Sequence, residues 1–595
     1  MRNLKKVLVL GFMVLMAGLA EAADIYVPGS YTTIQAAVNA AITGDTVRVS
    51  AGTYTEAVYV NKRIALVGVG TPTITAQGLG NINTVTFAGT ATNNASISGF
   101  RITGATGDWP NGRGIYCNNG SPTITNNIIS GNYYGIYCDS SSPAITNNTI
   151  SGNSFGIYCD SSSPAITNNT IIGNRYNGIH CSSSSPSITN NILTGNSSCG
   201  IHCSSSSPSI TNNTISGNEW AGISCWNSSS PLITNNQITG NSYRGIHCNS
   251  SSPIITNNTI SGNSNGIYCE SSSPSITNNT ISGNSNFGIY CRSSSSPSIT
   301  NNTISGNSGH GIYCEYSSSP TITNNTISGN TYNGIYCSSS SPSITNNIIT
   351  SNGTTSSSYY GIYNNSGNPI IDYNCVWRNG YGNYNNCSAG PNDISYNPQF
   401  IAGDFHLQTN SLCIDAGSNT APGIPSTDKD GNPRIYHTTV DMGAYEYQGT
   451  PTPPSVGLVT VYNNSGGFVG TYTTIQAGVN ACPVGGTVSA SAGIYTEAVY
   501  INKRIALVGV GTPTIDASGI VETNTVIFAG SATNNASISG FIITGASNGI
   551  YCNQGSPTIN HNIITWNTYG IYCLSSSPFI TNNIIIVGKY IIVGK

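Results

Sequence analysis

The sequence feature that most constrains the fold is a short unit that occurs eleven times between Gly114 and Thr350. A typical copy, residues 135–153, reads GIYCDSSSPAITNNTISGN. Its cysteine recurs every 21 to 23 residues, at Cys117, Cys138, Cys159, Cys181, Cys203, Cys225, Cys248, Cys269, Cys291, Cys314 and Cys337. A fixed period of this length predicts a solenoid, in which each unit buries its apolar side chains only against its neighbours.

Each unit predicts one rung of an all-β parallel β-helix, with about 22 residues per rung. Three short runs that alternate apolar and polar residues are separated by Ser-Ser-Ser-Pro, Asn-Asn and Ser-Gly-Asn. Runs this short suit strands and not helices, and the separating residues favour tight turns. Stacking eleven such rungs at the ~4.8 Å spacing of paired strands predicts a rod of roughly 50 Å.

The alternation places isoleucine and cysteine inside the rod and the residue between them outside. We expect the column cysteines to be small buried hydrophobic side chains, because stacked neighbours have parallel Cα–Cβ bonds that suit a disulfide poorly. The second asparagine of each Asn-Asn pair, from Asn127 to Asn347, is predicted to form a ladder of amides along the rod.

The chain divides into two tandem β-helix modules, of which the second is expected to be truncated. Residues 459–546 repeat residues 26–105 almost word for word. The predicted segments are a signal peptide (1–22), an N-terminal cap with irregular rungs (23–105), regular rungs (106–390), a closing, anchor-like segment (391–449), a proline-rich linker (450–458), and a second cap with the start of a second, incomplete helix (459–595).

Composition and the N-terminus indicate where the protein works. Arg2, Lys5 and Lys6 precede an apolar run, and the small residues around Ala22 and Ala23 predict signal-peptide cleavage there. No second apolar run of membrane-spanning length follows, so we expect no transmembrane segment in the mature chain. Only 7% of residues are charged and the net charge is −3, which argues against a nucleic-acid partner. We expect a secreted or cell-surface protein with bacterial-type export.

The start of the chain resembles a known cap. An amphipathic stretch at Tyr31–Ala41, the motif Gly52-x-Tyr54-x-Glu56 and the strand-like run Ile64–Gly68 resemble the N-terminal cap of the pectin-lyase-like superfamily of right-handed parallel β-helix proteins. The rungs resemble the parallel β-helix repeats of that group, including its NosD-like families. The resemblance implies a right-handed helix over residues ~25–390 and ~459–586, and the superfamily contains enzymes as well as non-catalytic surface proteins.

The closing segment carries a second resemblance. Its motifs Cys413-Ile-Asp415, Asp428-x-Asp430-Gly-Asn432 and Val440-Asp-Met-Gly-Ala-Tyr-Glu446 resemble the segment that closes bacterial secreted β-helix proteins, often ahead of a surface-anchoring region. This resemblance favours a position at the cell surface.

The outward position between isoleucine and cysteine predicts an exposed aromatic column. Its tyrosines are Tyr116, Tyr137, Tyr158, Tyr268, Tyr290, Tyr313 and Tyr336, and His180, His202 and His247 occupy the same position on other rungs. Aromatic rings stack on sugar rings, so the column predicts a polysaccharide or cell-surface glycan as partner. Mutual ring stacking that stabilises the rod is the alternative interpretation.

Two pairs of carboxylates are candidate calcium ligands. Asp139 and Asp160 follow the column cysteine on adjacent rungs, and Asp428 and Asp430 form part of a calcium-loop pattern. The alternative interpretations are solvated surface acids for the first pair and a plain acidic turn for the second. No other cofactor is predicted.

Three functional hypotheses follow. The first is an exported, non-catalytic β-helix protein that binds polysaccharide, or acts as an adhesive or structural surface module. The second is a polysaccharide lyase or hydrolase, suggested by Gly52-x-Tyr54-x-Glu56 and its copy at Gly493–Glu497, although no complete catalytic motif set is present and no catalytic residue is assigned. The third is a NosD-like periplasmic metal-handling protein, suggested by His180, His202 and the thiols.

Overall fold

A computed structural model describes residues 22–107, 111–354, 358–450, 458–518, 520, 522–586 and 592–594. Residues 1–21 of the predicted signal peptide and most of the predicted linker lie outside the described residues. The chain forms two compact units. The first contains Met1–Asn374, Asn379–Asn392 and Asn419–Gly431, and the second contains Cys375–Arg378, Asp393–Ser418 and Asn432–Lys595.

The first unit is a parallel β-helix with three sheets, which confirms the all-β solenoid predicted from the repeat. Sheet 1 has 16 strands: Asp24–Val27, Thr46–Ser50, Ala65–Val69, Ser96–Ser98, Thr123–Thr125, Ala144–Thr146, Ala165–Thr167, Ser187–Thr189, Ser209–Thr211, Leu232–Thr234, Ile254–Thr256, Ser275–Thr277, Ser298–Thr300, Thr321–Thr323, Ser343–Thr345 and Ile370–Asp372. Sheet 2 in this unit contains Thr53–Thr55, Thr73–Thr75, Arg101–Thr103, Ile128–Ser130, Thr149–Ser151, Thr170–Ile172, Ile192–Thr194, Thr214–Ser216, Gln237–Thr239, Thr259–Ser261, Thr280–Ser282, Thr303–Ser305, Thr326–Ser328 and Ile348–Thr350.

Sheet 3 carries the aromatic column and pairs the rungs in register, with Ile136 opposite Ile157 and Cys138 opposite Cys159. Its 15 strands are Val58–Val60, Val85–Ala88, Arg113–Asn118, Tyr134–Asp139, Phe155–Asp160, Ile179–Ser182, Ile201–Ser204, Ala221–Trp226, Arg244–Asn249, Asn265–Glu270, Ile289–Arg292, Ile312–Glu315, Ile335–Ser338, Tyr360–Asn364 and Gly382–Asn385. Because equivalent residues stack rung on rung, each repeat position becomes a straight column along the rod.

The interior is made of isoleucine and cysteine columns, as predicted. Ile136, Ile145 and Ile150 of one rung are fully buried, and so is Cys138. Among the described residues no cysteine forms a disulfide. The thiols therefore act as small apolar side chains in a closely packed core.

The corners of the rod are held by ladders of polar side chains. The predicted asparagine ladder is confirmed: Asn148 Oδ1 accepts hydrogen bonds from the backbone N–H of Asn127 at 3.0 Å and from its Nδ2 at 3.1 Å. A second asparagine ladder runs from Asn132 to Asn352 and a buried serine ladder from Ser141 to Ser318, neither of which was predicted. These ladders satisfy backbone groups that the turns would otherwise leave buried without a partner.

The glycine that precedes each column isoleucine faces inward, where a side chain has no room. A Cβ on Gly266 would lie 2.5 Å from the carbonyl oxygen of Gly288 and 2.6 Å from Ile281 Cγ2. We therefore expect Gly266→Ala to lower the free energy of unfolding by about 1–3 kcal/mol through overpacking. Denaturant unfolding measures the change, and Thr259→Ala at an exposed position of sheet 2 is the control, with an expected change within about 0.5 kcal/mol. An unchanged midpoint for Gly266→Ala would contradict this packing.

A short helix covers the first rung, as the amphipathic stretch predicted. Helix Ile34–Ala40 buries Ile34, Ala37 and Val38, and its N-cap Thr33 accepts a hydrogen bond from the backbone N–H of Ala36. An end rung of a β-rod has unpaired strand edges, and such a helix shields the apolar interior there. No helix among the described residues has both the length and the hydropathy needed to cross a membrane.

The second unit contains a smaller β-helix with its own cap helix, Ile475–Ala481, and a separate hydrophobic core. Its strands are Cys375–Trp377, Val459–Tyr462, Phe468–Tyr472, Thr487–Ser491, Ile494–Tyr495, Val499–Ile501, Ala506–Val510, Thr514–Asp516, Asn524–Ala529, Ser537–Ser539, Ile542–Thr544, Asn548–Asn553, Thr558–Asn560, Ile563–Thr565, Tyr569–Leu574, Phe579–Thr581, Ile584–Ile586 and Ile592–Gly594. Its cap pairs Val459–Tyr462 antiparallel with two neighbours, whereas the rungs pair in parallel.

In the second unit the last motif of the closing segment, Val440–Glu446, forms a buried polar cluster with Arg434. Arg434 is 1% exposed, and its Nη2 donates to the carbonyl oxygens of Asp441 and Gly443 at 2.8 and 2.7 Å. The carboxylate of Glu446 accepts from the backbone N–H groups of Tyr436 and Asp441. Burial raises the pKa of Glu446 to about 8. This cluster orders an otherwise irregular segment, because it supplies hydrogen-bond partners to the backbone groups of that segment.

Candidate functional site

The seven predicted tyrosines lie in one column on the outer face of sheet 3, as the rung period requires. Tyr116, Tyr137 and Tyr158 stand opposite one another on consecutive strands. Tyr268, Tyr290, Tyr313 and Tyr336 form a second consecutive group. His180, His202, Ser224 and His247 occupy the column between the two groups.

The column is largely buried, whereas the alternation of the repeat predicted it to be exposed. Tyr137 is 1% exposed and Tyr268 is 5% exposed, and the other five tyrosines are half-buried. The physical reason is a second row of rings, contributed by the residue before the column glycine. Tyr134 and Phe287 of this row lie 5.0 and 5.2 Å, between ring centroids, from the column tyrosines Tyr137 and Tyr290.

The column rings also turn their faces toward one another. Tyr137 and Tyr158 are stacked with an interplanar angle of 3°, and Tyr290 and Tyr313 with an angle of 4°. Tyr158 also stacks on His180 with an interplanar angle of 6°, so both of its faces are covered, and the other column tyrosines meet their neighbours face-to-face or edge-to-face. The column is therefore a rigid spine, and these contacts favour the ring-stacking interpretation for the predicted tyrosines themselves.

The exposed aromatic residues lie beside this spine, at the turn that leads into sheet 3. Tyr176, Tyr243 and Tyr332 are 37, 58 and 36% exposed. Each stands two residues before the column glycine, a position that also holds Trp220. This spacing is regular in the sequence, but it falls in the turn before the strand, where the alternation of the strand does not predict which side chains are exposed.

A tryptophan cluster occupies the middle of the face, where the column residue is the small Ser224. Trp226 Nε1 donates to Ser224 Oγ at 2.7 Å, which folds the indole over the gap. The rings of Trp220 and Trp226 are 6.4 Å apart and both lie edge-to-face against His247, at 5.1 and 5.4 Å. Both indoles are half-buried, so each keeps part of its surface accessible to solvent.

A cation borders the tryptophan cluster. The Arg244 guanidinium lies 4.0 Å from the ring centroid of Tyr268 and 5.4 Å from that of Trp220, within the range of cation–π attraction. Among the described residues Arg244 has no salt-bridge partner. Burial lowers the pKa of His247 to about 3, helped by the Arg244 charge, so this imidazole is neutral at physiological pH.

The carboxylates of the face are bound to tyrosine hydroxyls. Tyr116 donates to Asp139 at 2.9 Å and Tyr137 donates to Asp160 at 3.2 Å. Burial and its bond to Asp139 raise the pKa of Tyr116 to about 12. Tyr290 and Tyr313 donate to Glu315 in the same way. These carboxylates hold the rings of the spine in place.

The predicted metal ligands lie in two separate places. Asp139 and Asp160 are register neighbours on sheet 3. Asp428 is fully buried, and its Oδ1 accepts the backbone N–H of Asp430 at 3.0 Å. Nowhere in the described part of the chain do three or more His, Cys, Asp or Glu side chains cluster as a metal site would need. The calcium assignment stays a prediction.

The two histidines of the metal-handling hypothesis are rung neighbours with ring centroids 4.9 Å apart. His180 Nδ1 lies 3.1 Å from Asn177 Nδ2, and burial lowers the pKa of both imidazoles. Each ring thus continues the aromatic spine, and metal binding by this pair stays a prediction.

The Gly-x-Tyr-x-Glu motif, which suggested an enzyme, serves the cap helices. The carboxylate of Glu56 accepts the backbone N–H groups of Ile34 and Gln35 at 2.9 and 2.8 Å. Glu497 accepts from Ile475 and Gln476 in the second module. Both glutamates thereby satisfy N–H groups of the first helical turn, where negative charge is favourable.

The fold and this face define a right-handed parallel β-helix protein with an aromatic outer sheet. The family model for the right-handed beta helix region matches residues 74–215, 187–298, 221–376 and 287–400. Together these matches span more than half of the chain, and the chain belongs to this family. A search among curated proteins finds no match.

The solved structures to which the chain is similar include an epimerase module and two lyases. The A-module of a mannuronan C-5 epimerase from Azotobacter vinelandii is 16% identical, with 62% of this chain and 95% of that chain covered and a TM-score of 0.32. A PL6 family alginate lyase is 13% identical, with 94 and 80% covered and a TM-score of 0.34. The pectate lyase Pel9A is 14% identical, with 72 and 97% covered and a TM-score of 0.26. At these identities the likeness concerns the fold alone.

Proposed function

We propose that the protein is an exported, non-catalytic β-helix protein that binds polysaccharide on the outer face of sheet 3. The tryptophan cluster carries this proposal. Trp220 and Trp226 present indole surface beside the exposed Tyr243 and the cation Arg244. Aromatic surface with a few polar groups at its edge suits the apolar faces and hydroxyls of a sugar ring.

The stacked spine supports binding because it holds the cluster rigid. Trp226 is fixed by Ser224, and both indoles pack against the buried ring of His247. Side chains that are already ordered lose little conformational entropy when a ligand binds. Tyr176 and Tyr332 extend the accessible aromatic surface along the rod, which suits an extended polymer that contacts several rungs at once.

The acidic residues considered as candidate site residues form hydrogen bonds that stabilise the fold. Asp139, Asp160 and Glu315 accept tyrosine hydroxyls, and Glu56 caps a helix. These engagements support binding over hydrolysis as the role of the face. Export to the outside of the cell, where polysaccharides are abundant, rests on the signal-type N-terminus and is part of the proposal.

Replacing both indoles tests this function. We expect Trp220→Ala with Trp226→Ala to weaken polysaccharide binding at least about tenfold, since loss of aromatic contact on the order of 1.4 kcal/mol corresponds to that factor. A glycan array on the wild-type protein identifies the ligand, and calorimetric titration measures its affinity for each variant.

Tyr26→Ala is the matched control, because Tyr26 is 49% exposed but lies on sheet 1. Its affinity should equal that of the wild type. A wild-type protein that binds no glycan of a broad array, or a double variant that binds as tightly as wild type, would refute the proposal.

A further inference from the structure

The corner between sheets 1 and 2 is covered on some rungs and open on others. The first asparagine of each Asn-Asn pair lies at this corner with a positive φ, 55° at Asn126 and 60° at Asn346. Asn301, Asn324 and Asn346 are fully buried. The equivalent residues on seven earlier rungs are exposed: Asn126, Asn147, Asn168, Asn190, Asn212, Asn235 and Asn257.

The cover is residues 419–431 of the closing segment, here called the strap. This segment belongs to the first compact unit, apart from the rest of the closing segment. Thr323 Oγ1 donates to the carbonyl oxygen of Pro422 at 2.7 Å, and Asn301 Nδ2 donates to that of Thr427 at 2.8 Å. Lys429 Nζ donates to the carbonyl oxygen of Asn278 at 2.8 Å.

These three contacts show how the strap recognises the corner. They fall on three successive rungs, and each uses a group that the repeat places there: a threonine hydroxyl, an asparagine amide and an asparagine carbonyl oxygen. The strap therefore contacts groups that recur on successive rungs, and not groups that are particular to one rung. Burial under this contact lowers the pKa of Lys429 to about 8.

The same features continue past the end of the strap. Beyond Asn278 the next corner residues are Asn257 and Asn235, exposed and with the same positive φ as the covered asparagines. Beside them, Ile254 and Leu232 are 52 and 41% exposed. They stand in the sheet 1 column that holds serine on the next two rungs, so the open corner is more apolar than the covered one.

We propose that the open corner binds the strap of a second copy of this chain, which that copy releases from its own corner. The open rungs offer the hydroxyl, amide and carbonyl groups that hold the strap within one copy, and the exposed Ile254 and Leu232 add apolar surface that such a segment would cover. Because the strap and the corner are different surfaces, this contact is heterologous and links copies head to tail. The interaction is separate from polysaccharide binding, since the corner lies away from the outer face of sheet 3.

A synthetic peptide of residues 419–431, NTAPGIPSTDKDG, tests the contact. We expect saturable binding of the labelled peptide to the full chain and at least tenfold weaker binding to the variant Asn212→Gly, Asn235→Gly, Asn257→Gly. Glycine adopts positive φ readily, so this variant removes the amides but keeps the corner conformation. An equal unfolding midpoint confirms that the variant is folded.

A second variant tests the apolar part. Leu232→Ser with Ile254→Ser restores the residue type of the covered rungs and should also weaken peptide binding. A peptide with Lys429 replaced by alanine should bind more weakly than the native peptide. No binding at millimolar peptide, or binding that the glycine variant and the alanine peptide leave unchanged, would overturn the proposal.

Discussion

Acidification from about pH 7 to about pH 5 is expected to lower the free energy of unfolding of the first module by about 2 kcal/mol for each of three histidines. Each histidine contributes about 1.4 kcal/mol for every pH unit below the ordinary histidine pKa of about 6.5. The three are His180, His247 and His310. Burial lowers the pKa of each to about 3. All three rings are packed among aromatic neighbours of the spine, where a charged imidazole would lose its hydration.

The free energy of unfolding falls with falling pH because burial lowers the pKa of these histidines in the folded chain. Below about pH 6.5 the unfolded chain binds a proton at each histidine, whereas the folded chain stays neutral until about pH 3. The stability is therefore complete above pH 6.5 and is lost progressively as the pH falls. Glu446, whose pKa burial raises to about 8, acts in the opposite sense, because its penalty for ionisation disappears as the pH falls.

A comparison of variants isolates the histidines from the carboxyl groups. His180→Tyr, His247→Tyr and His310→Phe each introduce an aromatic residue that occupies the same position on another rung. Unfolding midpoints of the wild type and the triple variant should converge at neutral pH and separate at about pH 5, with the variant more stable. Parallel pH profiles for the two proteins would show that the folded imidazoles are protonated without cost.

The rod was predictable because every level of the sequence agrees on it. The period, the alternation at Ile136 and Cys138 and the turn residues between strands all indicate the same rung. The buried cysteine column and the ladder through Asn148 follow from that rung alone. The second ladder, through Asn153, was missed because Ser-Gly-Asn was interpreted only as a turn, although Asn tolerates the same ladder geometry as in the Asn-Asn pair.

The binding face was harder to predict, because accessibility depends on which columns cover one another. The sequence shows that Tyr137 points outward, but not that Tyr134 lies over it. The tryptophan cluster combines Trp220, from the turn before strand Ala221–Trp226, with Trp226 at the end of that strand. No single repeat position therefore indicates the cluster. The strap lies even further beyond sequence reasoning, since Lys429 meets Asn278 across 151 residues.

The largest effect of a single substitution is expected in the asparagine ladder. Asn258 Oδ1 accepts from the N–H and the Nδ2 of Asn236, and Asn258 Nδ2 donates to the carbonyl oxygens of Ile233 and Thr256. Removing this amide leaves several buried groups without a partner, each costing about 1–3 kcal/mol. We expect Asn258→Ala to lower the free energy of unfolding by roughly 3–6 kcal/mol, measured by denaturant unfolding.

Two further variants separate the hydrogen bonds from the cavity and from the backbone. Asn258→Asp keeps the volume and the accepting oxygen but cannot donate a hydrogen bond when it is ionised. We therefore expect it to lower the free energy of unfolding by several kcal/mol, about as much as Asn258→Ala does. Asn257→Gly changes the exposed neighbour at a positive φ of 57°, where glycine is tolerated, and should change stability by less than about 0.5 kcal/mol. If Asn258→Asp were as stable as wild type, donation by this amide would contribute nothing, and packing alone would hold the corner together.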